Sequence, residues 1–386
     1  MQSTDNTRFG QVRPVPQMGY NAYHPHPLPD EIDLPQATVY RLAEAEAALG
    51  RLAGAGRLLP NPHLLIRPYM LREALASTRI EGTRASLASV LEAEAGGETG
   101  DPDIEEVVNY VKAMELGLTL LDELPFSLRL IKEMHAVLLD GVRGRERQPG
   151  EIRRTQNWIG PPGCTLKDAS FVPPPHEELG DLLSDWERFA NRNTAIPVLI
   201  QSALLHFQFE TIHPFLDGNG RVGRLLIVFH LILQDRLTGP LLYLSPYFER
   251  HRSTYYDLLQ STRTSGDPHL WFDFYLTGIE EQAIDAVTRS EQLVDLRERY
   301  RSQVTATTRG NAVALVDVLF AQPVLTARTV ESHLDVQRPS ALRMLDLFTG
   351  MGILEELEPG PRRMRRFVAR DIMALLSEGL DEPLNP

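Results

Sequence analysis

HFQFETIHPFLDGNGRVGRLL, residues 206–226, is the stretch on which the reading of this chain turns. It sets His213, Asp217, Gly218, Gly220, Gly223, Arg221 and Arg224 within twelve positions. Each residue type has a use if the ligand is a nucleotide with its metal. The N–H groups of Gly218, Asn219 and Gly220 can point inward together as an anion-binding nest. A helical pattern begins right after them, so the positive end of a helix dipole faces the same anion. Arg221 and Arg224 are three apart, on one face of that helix's first turn, where two guanidinium groups can clamp a polyphosphate. Asp217 is a hard oxygen ligand suited to Mg²⁺, which bridges phosphates and keeps several waters. His213 titrates near neutrality and can accept a proton from an attacking hydroxyl. His206, alone in mid-helix, reads as a packed residue.

Residues 218–223 also satisfy G-x-G-x-x-G. A dinucleotide fold needs an apolar strand before that motif, and a helical segment ending in His-Pro-Phe stands there instead. The P-loop ending Gly-Lys-Ser/Thr is absent from the chain. Outward from the motif, helical periodicity covers about 36–59, 61–80, 86–95, 103–121, 127–140, 176–192, 196–211, 220–235 and 246–262, with a long helix from near 268. Residues 144–175 are rich in Pro and Gly and read as a loop followed by a β-hairpin, with its turn at 161–167. Residues 1–34 read as an extended arm. Helical pieces at 311–320, 326–333 and 339–350, followed by two short strands about a Pro-Gly turn, suggest a winged helix over 309–375. The fold class is therefore mainly α. The 386 residues carry a net charge of −13 and one cysteine, Cys164. That charge disfavours coating nucleic acid or an anionic membrane, and one cysteine allows neither an intrachain disulfide nor a thiolate metal cluster. No apolar run spans a bilayer and the first residues lack an apolar signal core, so a cytoplasmic location is expected.

HPFLDGNGRVGR resembles the motif of the Fic family, HxFx[D/E]GNGRxxR, at every motif position. The resemblance covers about residues 36–290. It implies a helical catalytic bundle with a β-hairpin flap over 111–300 and an N-terminal helical region over 35–110. It implies AMP transfer from ATP to a Ser, Thr or Tyr hydroxyl of a target protein, or of the chain itself, with release of pyrophosphate. His213 would deprotonate the hydroxyl. Asp217 would hold Mg²⁺, with Mn²⁺ not discriminated by one carboxylate. The nucleotide would lie on Gly218, Asn219, Gly220, Arg221, Val222, Gly223 and Arg224. Asn219 and the glycine N–H groups would take the α-phosphate, Arg221 the β-phosphate and Arg224 the γ-phosphate.

Ser77-Thr-Arg-Ile-Glu81-Gly82 resembles the family's inhibitory motif [S/T]xxxE[G/N]. The resemblance implies a salt bridge from Glu81 to Arg224 that denies the arginine to the γ-phosphate; one guanidinium cannot serve both partners in the same bidentate geometry. Gly82 stands where a helix C-terminus favours it. In some relatives the equivalent glutamate instead positions water to remove AMP. The hairpin at 156–175 occupies the place of the flap, with Gln156, Asn157, Trp158, Ile159, Phe171 and Val172 as candidate target contacts. Cys164 near its tip reads as incidental. The helix at 245–259 takes the place of the adenine pocket, with Tyr255 first and Arg250 second as base contacts; Tyr247 and Tyr256 read as core.

The C-terminal portion has nine basic and eleven acidic residues over 309–386, its one basic cluster being Arg362, Arg363, Arg365 and Arg366. A protein-interaction or homodimerisation module is therefore favoured over a DNA reader. The alternatives within the fold are removal of AMP and transfer of another phospho-group. The alternative outside it is a nucleotide-sensing DNA-binding regulator.

Overall fold

The computed structural model describes residues 6–15, 18–58, 63–96, 100–161, 163–357 and 364–380. An N-terminal hairpin, β1 (Gly10–Val15) and β2 (Tyr20–Pro25), precedes the long helices α1 (Gln36–Leu58) and α2 (His63–Ile80). There follow α3 (Leu87–Gly96), α4 (Pro102–Leu121), α5 (Leu128–Leu138), α6 (Leu179–Asn191), α7 (Val198–Ile212) and α8 (Asn219–Leu233). Next come α9 (Ser245–Arg250), α10 (Arg252–Ser265) and α11 (His269–Thr307). The C-terminal part holds α12 (Asn311–Ala321), β3 (Val324–Leu325), α13 (Ala327–Leu334), α14 (Arg338–Gly350), β4 (Glu355–Leu357), β5 (Arg366–Val368) and α15 (Arg370–Ser377).

Local chemistry explains several boundaries. Asp101 caps α4 by accepting from the Asp103 N–H, with Pro102 at the first helical position. Ser127 caps α5 and Thr326 forms a capping box on α13. Gly266 ends α10 in the left-handed region, φ 73°. α7 and α8 are apolar on nearly every face and so must be buried on every face. Every residue of α7 from Leu199 to Ile212 is buried. α5, α6, α4 and α11 close around this pair, and the motif loop 213–218 is the turn that joins it.

Three expectations need correction. The arm, expected as an extended segment against the body, does lie against it but is paired as an antiparallel hairpin: Phe9 is buried against Phe207, and the Tyr23 N–H donates to the Val172 carbonyl at 2.9 Å. Among its described residues the flap contains a single β-bridge, Ile159 with Phe171, and Tyr23 of β2 donates to the Val172 carbonyl beside it. The helix expected over 246–262 is broken at His251 into α9 and α10.

The C-terminal elements run helix–strand–helix–helix–strand–strand, with β5 between β3 and β4 in an antiparallel sheet. Arg362, Arg363 and the expected Pro-Gly turn lie outside the described residues. Arg365 binds Glu356 through two nitrogens and also Asp346, Arg366 pairs with Glu92 of α3, and Arg370 with Glu355. The unit packs on α2 and α11. Arg72 and Arg79 of α2 and Arg289 of α11 donate to the Leu376, Leu380 and Leu375 carbonyls at its end. Arginines on the helix that carries Ser77 thus fasten the C-terminal unit.

Candidate functional site

α7 ends at His213 in the left-handed conformation, φ 50°, and Gly218 opens α8 at φ 78°. Between these two turns the loop doubles back so that His213 and the first turn of α8 share one place. Several groups hold it. The Asn219 side chain accepts from the Phe215 N–H at 2.8 Å and donates to the Phe215 carbonyl at 2.9 Å. Arg153 donates from Nε to the His213 carbonyl at 3.0 Å. Asn157 donates to the Phe215 carbonyl at 2.8 Å. His135 of α5 lies against the Asp217 carbonyl at 2.9 Å through Nε2, while its Nδ1 accepts the Gly150 N–H at 2.8 Å. That pattern assigns the proton to Nε2, so His135 is neutral. Burial, offset in part by the Asp217 carbonyl, brings its pKa down to about 4. Its ring stacks on Phe215 with centroids 3.7 Å apart.

The first N–H groups of α8 have no carbonyl of their own helix to bond. Beside them stands Glu81, close enough to Gly220 that a side chain there would overlap its Oε1. Arg224 is buried and donates to the Glu81 carboxylate at 2.8 Å, the Ser77 hydroxyl at 2.8 Å and the Ser77 carbonyl at 2.9 Å. Burial alone would raise the Glu81 pKa; the Arg224 guanidinium more than offsets it and holds the carboxyl below its usual range. The same two effects act oppositely on Arg224, and Glu81 leaves its pKa raised. The expected contact of Glu81 with Arg224 is therefore present, Ser77 joins it as a contact the sequence reading did not anticipate, and Gly82 follows α2 at φ 104°.

Arg221 is also buried. It donates to Asp217 Oδ1 at 3.1 Å and to Glu106 of α4 at 3.5 Å, and Glu106 binds Arg143 at 3.0 Å. Asp217 Oδ1 further accepts from the Gly218 N–H. Among the described residues no group of three or more His, Cys, Asp or Glu converges as a metal cage. A single carboxylate beside a polyphosphate site fits a hard cation that draws its remaining ligands from phosphate and water. His213 is neutral: burial first, then Arg153 and Arg263, lower its pKa to about 3.

Other expected site residues lie elsewhere. The Asn219 side chain is consumed by Phe215, because an amide can donate and accept within one loop. Val222 and Gly223 face the core; a side chain at 223 would strike Phe209 and the Glu210 carboxyl. Arg250 lies on the outside, paired with Glu281 at 3.1 Å. Tyr255 is only 1% exposed, stacked on Phe248, and its hydroxyl meets His206 Nε2 at 2.8 Å. His206 is thus the packed residue its position suggested. Tyr256, read as core, is 40% exposed; burial of its hydroxyl end first, with Glu81 adding and Arg224 opposing, raises its pKa. Of the flap residues, Gln156 bonds Tyr20, Asn157 and Pro173, and Asn157 holds the motif loop. Trp158 is 43% exposed, and Ile159 pairs with Phe171. Sequence reasoning missed Glu106, His135, Arg153 and Glu210. For Glu210 there was a signal: a charged residue inside an otherwise apolar helical run.

Residues 39–119 match the Fic/DOC family N-terminal region and residues 125–231 match the Fic/DOC family. The protein adenylyltransferase Fic of Aedes aegypti is 34% identical over 237 residues, which cover 59% of this chain and 43% of that protein. That of Culex quinquefasciatus is 33% identical over 194 residues, 48% of this chain and 35% of the relative. The chain thus spans less than half the length of these curated relatives. Among solved structures, a Fic family protein from Desulfovibrio desulfuricans G20 superposes with a TM-score of 0.58 at 22% identity, over 88% of this chain and 97% of that one. Fic-1 of C. elegans does so at 0.51 and 20% identity, over 66% and 74%. At such identities the likeness shows the fold.

Proposed function

We propose that this chain, which belongs to the Fic/DOC family, transfers AMP from ATP to a protein hydroxyl and rests with Glu81 seated on Arg224. The observation that carries the reading is the convergence of a neutral His213, Asp217, the open N-terminus of α8 and two buried arginines on one place. His213 accepts the hydroxyl proton through Nε2, since Nδ1 is turned toward Glu210. The first N–H groups of α8 hold the α-phosphate, with Arg221 beside the β-phosphate. Asp217 is the residue that would hold Mg²⁺ or Mn²⁺; when bound, the ion would neutralise phosphate charge. Arg224 takes the γ-phosphate once Glu81 withdraws. Catalysis here is positioning and electrostatic stabilisation.

ATP labelled at the α- or the γ-phosphate, given to the Glu81→Gly chain with Mg²⁺, tests this. Label retained on protein from the α but not the γ position is expected. Retention from γ would move the reading to phosphate transfer, and retention from neither would favour AMP removal.

The base is assigned to Tyr256 rather than Tyr255, because Tyr256 is the tyrosine of α10 that is both open and close to Arg224. Tyr256→Ala should raise the KM for ATP roughly tenfold by loss of stacking. Tyr255→Phe should leave KM unchanged and cost about 1 kcal/mol of stability, by loss of the hydrogen bond to His206. Steady-state kinetics and thermal melts of the pair decide it.

For the C-terminal unit we favour protein contact over DNA. The described wing arginines are already neutralised by carboxylates, so they offer little to phosphates. No described helix is long and apolar enough to cross a membrane.

A further inference from the structure

Glu210 is a charged side chain that the fold has sealed in. It is 6% exposed, on the last turn of α7, and its Oε1 is buried without a hydrogen-bond partner among the described residues. Its Oε2 lies 4.0 Å from His213 Nδ1, which is also buried and unpartnered. Gly223 leaves the room for this carboxyl, since a Cβ there would stand 2.7 Å from Oε1. Leaving such a group unpaired is costly, and a hydrophobic residue would fill the space more cheaply.

We propose that Glu210 is a positioning residue for His213, holding the imidazole in the tautomer protonated at Nδ1 and balancing the charge it gains in the reaction. This rests on the adenylyl-transfer reading. The target oxygen bonds to the α-phosphorus as the bond from that phosphorus to the bridging oxygen breaks, and pyrophosphate leaves with that electron pair. The hydroxyl proton passes to His213 Nε2. The imidazolium so formed is then stabilised through Nδ1–H by the Glu210 carboxylate, and later gives its proton to solvent. At 4.0 Å the carboxylate faces Nδ1 without hydrogen-bonding it, so in the resting chain it acts as a facing charge and the contact has to shorten as the ring gains its proton.

The groups facing Glu210 come from four elements: His206 and His213 from α7, Arg224 from α8, Glu81 beyond α2, and Arg263 and Tyr255 from α10. Burial, the largest effect, raises its pKa to about 7; Arg224 and Arg263 oppose this and Glu81 adds to it. Below that pH the carboxyl is neutral and cannot balance an imidazolium. The rate should therefore rise with pH through this region. Removing Glu81 withdraws a raising influence, so the rise should shift to lower pH.

The test uses the full chain. Label transfer from α-labelled ATP is measured between about pH 5 and 9 for Glu81→Gly alone and with Glu210→Gln or Glu210→Asp. Glu210→Gln should lower kcat roughly 10- to 100-fold, leave the KM for ATP unchanged and abolish the rise. Glu210→Asp, which keeps the charge, should recover part of the rate and the rise. In parallel, NMR follows the His213 ring, assigned by its loss in His213→Ala, in the wild-type chain and in Glu210→Gln. Its signal should step near pH 7 in the first and not in the second. A kcat within twofold of the parent with the rise intact, or a His213 signal without that step, overturns the proposal. If Glu81→Gly transfers no label, the adenylyl-transfer reading fails, and the NMR step still decides whether the two groups are coupled.

Discussion

Glu81→Gly is expected to raise AMP transfer on the order of 10²-fold. One charge-stabilising donor is worth about 10²–10³ in rate, and in the resting chain the donor at Arg224 is committed elsewhere. Three acceptors hold its guanidinium, two from Ser77 and one from Glu81. Glu81 is the ionised one, and it lies beside Gly220, against the helix end that would receive phosphate. Glycine removes the charge and clears that space. It also falls after the last residue of α2, Ile80, so no helix interior is weakened. The change has a thermodynamic counterpart. The Glu81 pKa is held down in the folded chain, so its contribution to stability is present above the unfolded carboxyl pKa and is lost as pH falls through the folded one. With about a third of the side chain open to solvent, the loss should be about 1–2 kcal/mol near neutrality, vanishing in acid. A variant that melts earlier at pH 7, melts like wild type in acid and labels no faster would separate the ion pair from inhibition and sink the regulatory reading. A rate gain in Glu81→Gln of intermediate size would fit, since glutamine keeps a hydrogen bond but not the charge.

The chemistry was legible in the sequence because it is local. Twelve consecutive residues carry the base, the carboxylate, the nest and both arginines, and the turn between two helices assembles them. The contact of Glu81 with Arg224 is long-range, and its expectation rested on a family motif rather than on periodicity; the contacts from Ser77 were not foreseen. Choices between adjacent residues on one helix were not legible. Tyr255 and Tyr256 differ by about 100° around α10, and which of them faces the core depends on where His206 and Phe248 lie. Asn219 has the right chemistry for a phosphate, yet its amide closes the loop by bonding both the N–H and the carbonyl of Phe215. The N-terminal hairpin escaped because its Pro- and Asn-rich strands, β1 and β2, lack the alternating apolar pattern that marks a strand, although they pair with each other. Glu106, His135 and Arg153 come from three separate segments, and only folding brings them to the motif.

His213→Ala in the Glu81→Gly chain should abolish most of the gain, by about 10²–10⁴-fold, the usual worth of a positioned general base. Alanine alone would leave room for a structural objection. His213 sits at φ 50°, ψ 61°, a left-handed conformation that disfavours alanine. Its carbonyl also anchors Arg153 and Asn157, so a shifted backbone would disturb the loop. Asparagine tolerates that conformation and cannot act as a base near neutrality, so His213→Asn removes the chemistry while sparing the turn. Both variants should lose transfer to the same extent and retain ATP affinity, because the groups assigned to the phosphates are on α8 and not on the imidazole. Binding of ATP measured directly, beside label transfer, separates the outcomes. Equal loss with unchanged affinity places the proton on His213. Loss in alanine with activity kept in asparagine would instead assign the residue to holding the loop, and the base would have to be another group.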